Sequence, residues 1–173
     1  MIQKVSSDVG FSGKGSEASE APLSFRGSFN HSLDSKGRVS LPVEFRKILT
    51  ARSENSVVIT NFISDGARCL EGFGCKAWAE FEQKLREKSR FSAKLQRLEN
   101  FYLSRAAECP VDSCGRILVP QHLRTYAGVE REVTFTASIH GFRIWDRRVW
   151  ELIFTSAEQS LMENPNLFED VDV

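Results

Sequence analysis

Two copies of one short motif hold the residues of this sequence whose types and spacing are best suited to chemistry. The copies occupy positions 33–42 and 111–120, so that Asp112 follows Asp34 by 78 positions. Each copy reads D-S-x-G-R-x-x-x-P, and the other positions that the two copies share are apolar in both. An aspartate at this spacing can accept a backbone N–H two residues on. The arginine can bind a carboxylate, a phosphate or the edge of a guanine through paired hydrogen bonds.

The first four residues of the D-S-x-G-R motif predict a type I turn in each copy. Aspartate is favoured at the first position and glycine at the fourth, where glycine relieves a positive φ before the chain enters a strand. We therefore assign a turn-forming and arginine-orienting role to Asp34, Gly37, Asp112 and Gly115. Two roles stay open for the arginines, namely pairing with these aspartates or contact with a polyanion. We favour the polyanion for Arg38 and leave both roles open for Arg116.

Charge is balanced over the chain but segregated along it. The 173 residues contain 23 Lys and Arg against 23 Asp and Glu. Positions 26–52 hold six basic and two acidic residues, whereas positions 151–173 hold six acidic residues and no basic one. Such segregation permits a basic patch that binds a polyanion. The first hairpin is the more basic, because positions 26–38 hold three basic residues and one acid, whereas Glu108 and Asp112 offset Arg105 and Arg116 in positions 104–116. The candidate contact residues are Arg26, Lys36, Arg38 and Arg116.

The sequence contains no credible catalytic set. It lacks a glycine-rich phosphate loop, a G-x-S-x-G motif and an H-E-x-x-H motif. The three histidines stand apart, and the four cysteines are spaced C-x5-C and C-x4-C rather than C-x2-C as in zinc ribbons. Without an export signal we expect free thiols, with Cys114 exposed at a turn. We predict no enzyme and no cofactor; a four-cysteine zinc site or a Cys/His metal enzyme stays as an alternative.

Hydrophobic periodicity predicts the elements that position the two motifs. Each repeat is predicted as strand–turn–strand–helix–strand–turn–strand, with Pro42 or Pro120 at the start of its helix. Apolar residues at three- and four-residue steps predict two helices between the repeats, near 76–88 and 92–104, and a further helix after Trp145. Because each repeat is too small to bury its own sheet, the two should interlock as one pseudo-twofold β-barrel.

These patterns divide the chain into five parts. They are a disordered N-terminal extension (1–23), a first repeat (25–75), linking helices (76–102), a second repeat (103–148), and a C-terminal helix with an acidic tail (149–173). No apolar run reaches the 18 residues of a membrane-spanning helix, so we expect a cytoplasmic protein with no membrane partner.

The paired motifs resemble those of the MraZ family of transcriptional regulators, which carry two D-x-x-x-R motifs in an AbrB/SpoVT-like fold. Phe25-Arg26-Gly27 followed by the first copy is similar to the start of that family's pattern, and Ala107-Glu108-Cys109 followed by the second copy is similar to its repeat. The resemblance covers positions 25–155. The chain departs from the pattern in its N-terminal extension and in Cys114.

The resemblance implies an α+β fold in which two internal repeats form a swapped-hairpin (double-split) β-barrel with peripheral helices. It also implies a sequence-specific DNA-binding regulator of the division and cell-wall gene cluster, which binds repeated short sites in double-stranded DNA upstream of its own operon. A ring-shaped homo-oligomer, association with the nucleoid and no small-molecule substrate follow from the same resemblance. The alternatives are a ring-forming assembly protein without specific DNA binding and an RNA-binding regulator, although the latter is disfavoured because the hairpin tips carry no aromatic residue.

Overall fold

The computed structural model describes residues 24–166, which form eight strands and five α-helices. The strands are β1 (Ser28–Ser32), β2 (Arg38–Ser40), β3 (Ser56–Ser64), β4 (Ala67–Gly74), β5 (Ala107–Pro110), β6 (Arg116–Leu118), β7 (Glu132–Ala137) and β8 (Phe142–Asp146). The helices are α1 (Val43–Ala51), α2 (Cys75–Arg86), α3 (Ala93–Phe101), α4 (Gln121–Ala127) and α5 (Arg147–Glu163), with a 3₁₀ turn at Leu103–Arg105. The expected N-terminal extension 1–23 and positions 167–173 lie outside the described residues.

Each repeat follows the predicted order of strand, turn, strand, helix and hairpin. Pro42 and Pro120 precede α1 and α4 with nearly the same backbone angles (φ −51°, ψ 140° and φ −55°, ψ 143°). A proline at this point fixes φ and needs no hydrogen bond for an N–H. Helix α4 ends at Gly128, whose φ of 66° is the left-handed conformation that glycine adopts without strain.

Strands from both repeats pair with each other in one sheet, so the repeats do not form separate domains. In a six-stranded antiparallel sheet of order β1-β7-β8-β4-β3-β5, the first strand of each repeat pairs with the third strand of the other, as β1 with β7 and β5 with β3. The short strands β2 and β6 pair in a separate two-stranded ribbon. The fold is therefore α+β and is built from two repeats. Within residues 24–166, β1 and β5 stand at the two ends of this strand order.

One hydrophobic core serves both repeats. Phe45 of α1 is fully buried and packs edge-on against Phe25 and Phe29 of its own repeat, with ring centroids 5.0 and 5.4 Å apart. It also meets Phe135 and Phe142 of the second repeat, at 6.3 and 5.5 Å. Because these aromatic groups come from both halves of the chain, neither repeat has a separate core of this kind.

A second, smaller cluster lies where the linking helices meet the sheet. Trp78 of α2 and Tyr102 are both buried, with ring centroids 5.7 Å apart, and they pack against Phe73 of β4. The two helices predicted near 76–88 and 92–104 are thus present, and both end earlier than predicted. Helix α3 begins after Ser92, whose side chain accepts the N–H of Leu95 at 3.4 Å.

Helix α5 is the longest helix among the described residues and packs on β7 and β8 through part of its length. Asp146 begins it by accepting the N–H groups of Arg148 and Val149, at 3.0 and 3.3 Å. Three of its apolar side chains are exposed to solvent: Leu152 is 72%, Phe154 is 55% and Met162 is 75% exposed. Among the described residues, no helix has the length and apolar character needed to cross a membrane.

Candidate nucleic-acid interface

Asp34 organises the first motif turn through hydrogen bonds to three different groups. Its Oδ1 accepts the backbone N–H groups of Lys36 and Arg38, both at 2.9 Å, and its Oδ2 accepts Nε–H of Arg38 at 2.7 Å. Gly37 donates its N–H to the carbonyl of Asp34 at 2.9 Å and adopts a φ of 82°. The backbone N–H of Arg38, together with its guanidinium, lowers the pKa of Asp34 to about 2. The carboxylate therefore stays ionised and fixes the arginine.

The second motif turn repeats this geometry. Asp112 accepts the backbone N–H groups of Cys114 and Arg116 at 2.9 Å and the Nε–H of Arg116 at 2.9 Å. Gly115 has a φ of 76° and donates to the carbonyl of Asp112 at 2.8 Å. The hydrogen bonds from Arg116 lower the pKa of Asp112, and the carboxylate in turn raises the pKa of Arg116. The thiol of Cys114 is exposed at the tip, where the first turn carries Lys36.

Both arginines pair with their aspartates, one of the two roles that the sequence left open. In each case the carboxylate takes Nε–H, and the hydrogen bonds found within residues 24–166 leave the terminal Nη groups of Arg38 and Arg116 without a partner. The two side chains are about one-third exposed, at 35% and 33%. Pairing through Nε fixes the guanidinium while its terminal N–H groups stay free to donate to a ligand.

The β2–β6 ribbon places Arg38 and Arg116 on the same surface. In its antiparallel register Arg38 lies opposite Leu118, and Ser40 lies opposite Arg116. Opposite residues project to the same side of a pair of strands, and successive residues alternate. The intervening residues Val39 and Ile117 are buried, each 1% exposed, so the opposite face holds both arginines in solvent. Three paired residues span about 10 Å, and the two turns therefore lie at the ends of one short ribbon.

Each turn is also covered by an arginine from the other repeat. A β-carbon added to Gly37 would come 2.7 Å from Cζ and Nε of Arg124, and one added to Gly115 would collide with the guanidinium of Arg46. Arg124 is held by a hydrogen bond from Nε to the carbonyl of Val119 at 3.1 Å. The Nε of Arg46 is buried and has no partner within the described part of the chain.

Arg46 and Arg124 are the residues of this surface that we did not predict. They occupy equivalent positions, four residues after Pro42 and Pro120, so the repeat register contained the signal. The alignment of the two repeats could not predict that the arginine of each helix contacts the turn of the other repeat. With these two arginines the surface combines five basic side chains with two carboxylates: Lys36, Arg38, Arg46, Arg116 and Arg124, with Asp34 and Asp112.

Arg26 does not belong to this surface. It is exposed and lies just before β1, whereas the first turn follows the other end of that strand. The five-residue strand β1 lies between Arg26 and the turn and is about 15 Å long. The structure therefore separates Arg26 from Lys36 and Arg38, although the three are close in sequence and were expected to act together.

Metal-ligating side chains are scattered over the structure. Within residues 24–166, no group of three or more His, Cys, Asp or Glu side chains is placed to hold a metal ion. The four cysteines are free thiols, and burial raises the pKa of Cys69 to about 12 and that of Cys109 to about 11. Buried thiols of this kind behave as small apolar side chains.

The fold and the surface define a two-repeat α+β protein whose paired Asp–Arg turns flank a basic β-ribbon. A family model described as "MraZ protein, putative antitoxin-like" matches residues 24–101 and again residues 102–167. Together the two matches cover both repeats and all of the described residues. The chain belongs to the MraZ family.

Relatives from several bacteria support the same assignment. The chain is 35% identical over 133 residues to "Transcriptional regulator MraZ" of Nitrosomonas europaea, which covers 77% of this chain and 88% of that protein. It is 32% identical over 147 residues to the protein of the same name from Caldicellulosiruptor bescii, covering 85% and 98%. With the Serratia proteamaculans protein of that name, it shares 36% identity over 126 residues, covering 73% and 82%.

Proposed function

We propose that this protein is a sequence-specific DNA-binding transcriptional regulator that acts at repeated short sites upstream of its own operon, in the division and cell-wall gene cluster. The proposal rests on one observation, the β2–β6 ribbon with Arg38 and Arg116 on its exposed face. The relatives are named transcriptional regulators, and the proposal applies that role to this chain.

The ribbon has the dimensions and charge of a major-groove reader. A two-stranded β-ribbon fits into the major groove of B-DNA, which is about 12 Å wide. Arg38 and Arg116 can each donate two N–H groups to guanine O6 and N7, because their aspartates occupy only Nε. Lys36, exposed at the first tip, is suited to a phosphate contact, which contributes affinity without sequence information.

We further propose that the protein acts as a ring-shaped homo-oligomer with the swapped-hairpin arrangement of an AbrB/SpoVT-like barrel. The cross-repeat pairing of β1 with β7 and β5 with β3 supports the interlocked arrangement. Apolar surface supports the oligomer: Leu152 and Phe154 on α5 are exposed, and a cavity of about 640 Å³ opens beside α2 and α3. An oligomer would bind repeated sites with avidity, which compensates for a small contact surface in each subunit. The oligomer would be associated with the nucleoid in the cytoplasm.

Fluorescence anisotropy with the full chain tests the DNA-binding proposal. A labelled duplex of the gene's own upstream region is titrated with protein at several salt concentrations, and a scrambled duplex of the same composition serves as control. We expect a preference of about a thousandfold or more for the upstream duplex, as is usual for specific over non-specific DNA binding. Equal affinity for the two duplexes would overturn the proposal. If light scattering showed an oligomer but the protein did not prefer the upstream duplex, the result would support an assembly protein instead.

A further inference from the structure

One apolar side chain interrupts the polar face of the β2–β6 ribbon. Leu118 is 54% exposed and lies directly opposite Arg38. We propose that Leu118 contacts the C5-methyl group of a thymine in the major groove and thereby selects the base next to the one that Arg38 binds. This inference rests on the proposed function, because it assigns a further specificity-determining residue to the same DNA surface.

The fold gives no reason for a leucine at this position. The flanking residues, Ile117 within the strand and Val119 just after it, are buried in the common core, at 1% and 2% exposure. The position equivalent to Leu118 in the first repeat is Ser40, in a strand of the same length and pairing. Because the same backbone position accepts a serine, the leucine adds surface chemistry rather than support for the strand.

The register sets Leu118 at the correct spacing from Arg38. The Cβ atoms of opposite residues in an antiparallel pair are about 4.5–5.5 Å apart, and successive bases along a strand of DNA are about 3.4 Å apart. When Arg38 donates to a guanine, Leu118 therefore faces the edge of an adjacent base pair. Ser40 and Arg116 form the equivalent pair at the other end of the ribbon, so that only one end of the ribbon carries an apolar group.

Thymine is the base that suits an exposed leucine in the major groove. It presents a C5-methyl group there, and apolar side chains recognise it by contact. Cytosine presents an amino group, and a leucine cannot accept a hydrogen bond from it. Burial of one methyl group against the leucine corresponds to about a fourfold gain in affinity.

A scan in which each thymine of the upstream duplex is replaced by uracil tests the contact, since this change removes only the methyl group. We expect wild-type protein to lose about fourfold in affinity at one thymine of each bound site. Leu118→Ser, which installs the residue found at position 40, should lose affinity for the unmodified duplex and show no further loss at that uracil. Ile139→Ser is the control, because Ile139 is also apolar and exposed but lies in the turn between β7 and β8, outside the ribbon.

Three results would overturn the inference. Specific binding by the wild type that is insensitive to uracil at every position would leave the proposed function standing and remove the role of Leu118. The same uracil sensitivity in Leu118→Ser as in the wild type would assign the methyl contact to another residue. A change in oligomer mass in Leu118→Ser, measured by light scattering, would place the side chain in a contact between subunits. Failure of the proposed function itself is distinguishable, because the wild type would then bind upstream and scrambled duplexes alike.

Discussion

The guanidinium of Arg124, which belongs to the second repeat, lies against Gly37 in the turn of the first. The equivalent contact joins Arg46 of the first repeat to Gly115 of the second. Each hairpin therefore has one arginine fixed by its own aspartate and a second supplied by the helix of the other repeat. The positive charge of the surface thus depends on the packing of the two repeats against each other as well as on the local sequence of the turns.

A side chain at position 37 should displace Arg124 and strain the turn. In Gly37→Ala, the residue must adopt a φ of 82°, which costs about 1–3 kcal/mol of stability for a non-glycine residue. Its Cβ also enters the space of the Arg124 guanidinium. The matched control is Gly66→Ala, with a φ of 74° and no atom within 4 Å of an added Cβ. Urea denaturation should give similar losses for both variants, whereas only Gly37→Ala should weaken DNA binding; equal DNA affinity for both would contradict this account.

The local chemistry of the turns could be predicted from the sequence because it involves five consecutive residues. Aspartate and glycine at the first and fourth positions specify a type I turn wherever the chain allows one, and the contact from Asp34 to the N–H of Lys36 is the result. The same reasoning predicted the proline-led helices and the order of elements in each repeat. Apolar residues at three- and four-residue steps predicted the two linking helices, although these end two and three residues earlier than expected.

Contacts that depend on strand direction and pairing could not be predicted in this way. Arg26 and Arg38 are close in sequence and share a charge, but the extended strand β1 lies between Arg26 and the first turn. Arg124 meets Gly37 because β2 pairs with β6, a relationship that local patterns do not contain. The repeat predicted that equivalent residues would exist, and only the fold shows which of them meet.

Tyr102 and Glu71 form a buried hydrogen-bonded pair, and the stability lost when the pair is broken should depend on pH. Tyr102 donates its hydroxyl to Oε2 of Glu71, and burial raises the pKa of Glu71 while this hydrogen bond opposes the rise. In Tyr102→Phe the ionised carboxylate loses its donor, and we expect the free energy of unfolding to fall by about 1.5–3 kcal/mol. The loss should be greater at pH 8 than at pH 5, since protonated Glu71 is less dependent on the donor. Urea denaturation at both pH values measures the difference.

Tyr126→Phe is the control for that experiment. Tyr126 donates its hydroxyl to the carbonyl of Phe62 at 3.2 Å, so the variant loses a hydrogen bond to a neutral acceptor. We expect a smaller loss, about 1 kcal/mol, and no difference between the two pH values. A pH-dependent loss in Tyr126→Phe, or a pH-independent loss in Tyr102→Phe, would contradict the role given to Glu71.

The turn carboxylates should make the protein sensitive to acid. The pKa of Asp34 is lowered to about 2 in the folded protein, and that of Asp112 is lowered as well, chiefly by backbone N–H groups. Their stabilisation is complete above the ordinary pKa of aspartate and is lost as the pH falls through the folded values. We expect the free energy of unfolding to decrease between about pH 5 and pH 2. In Asp34→Asn that slope, followed by urea denaturation, should be shallower; an unchanged slope would show that the carboxylate is not coupled to folding.

The tip residues Lys36 and Cys114 should set the salt dependence of DNA binding. Lys36→Ala should lower affinity for upstream and scrambled duplexes alike and reduce the slope of log K against log salt by about 1 for each phosphate that the protein no longer neutralises. Cys114→Lys installs a lysine at the second tip and should raise the slope if that turn also approaches the phosphates. Anisotropy titrations over a series of salt concentrations measure both slopes. A change in sequence preference in Lys36→Ala would indicate a base contact instead.

Arg38 and Arg116 have the same local geometry, and we expect them to differ in their effect on DNA binding. Arg38→Ala should abolish the preference for the upstream duplex, because a two-point contact with guanine contributes roughly 1–3 kcal/mol of discrimination and every bound subunit of an oligomer would lose it. Arg116→Ala should weaken binding less, since its turn carries Cys114 where the first turn has Lys36. Both variants should stay folded, because each side chain is about one-third exposed and its aspartate still accepts the backbone N–H groups of the turn. Titrations of the two variants on upstream and scrambled duplexes decide the matter. If Arg116→Ala were the more damaging change, the second hairpin and not the first would be the principal reader of DNA.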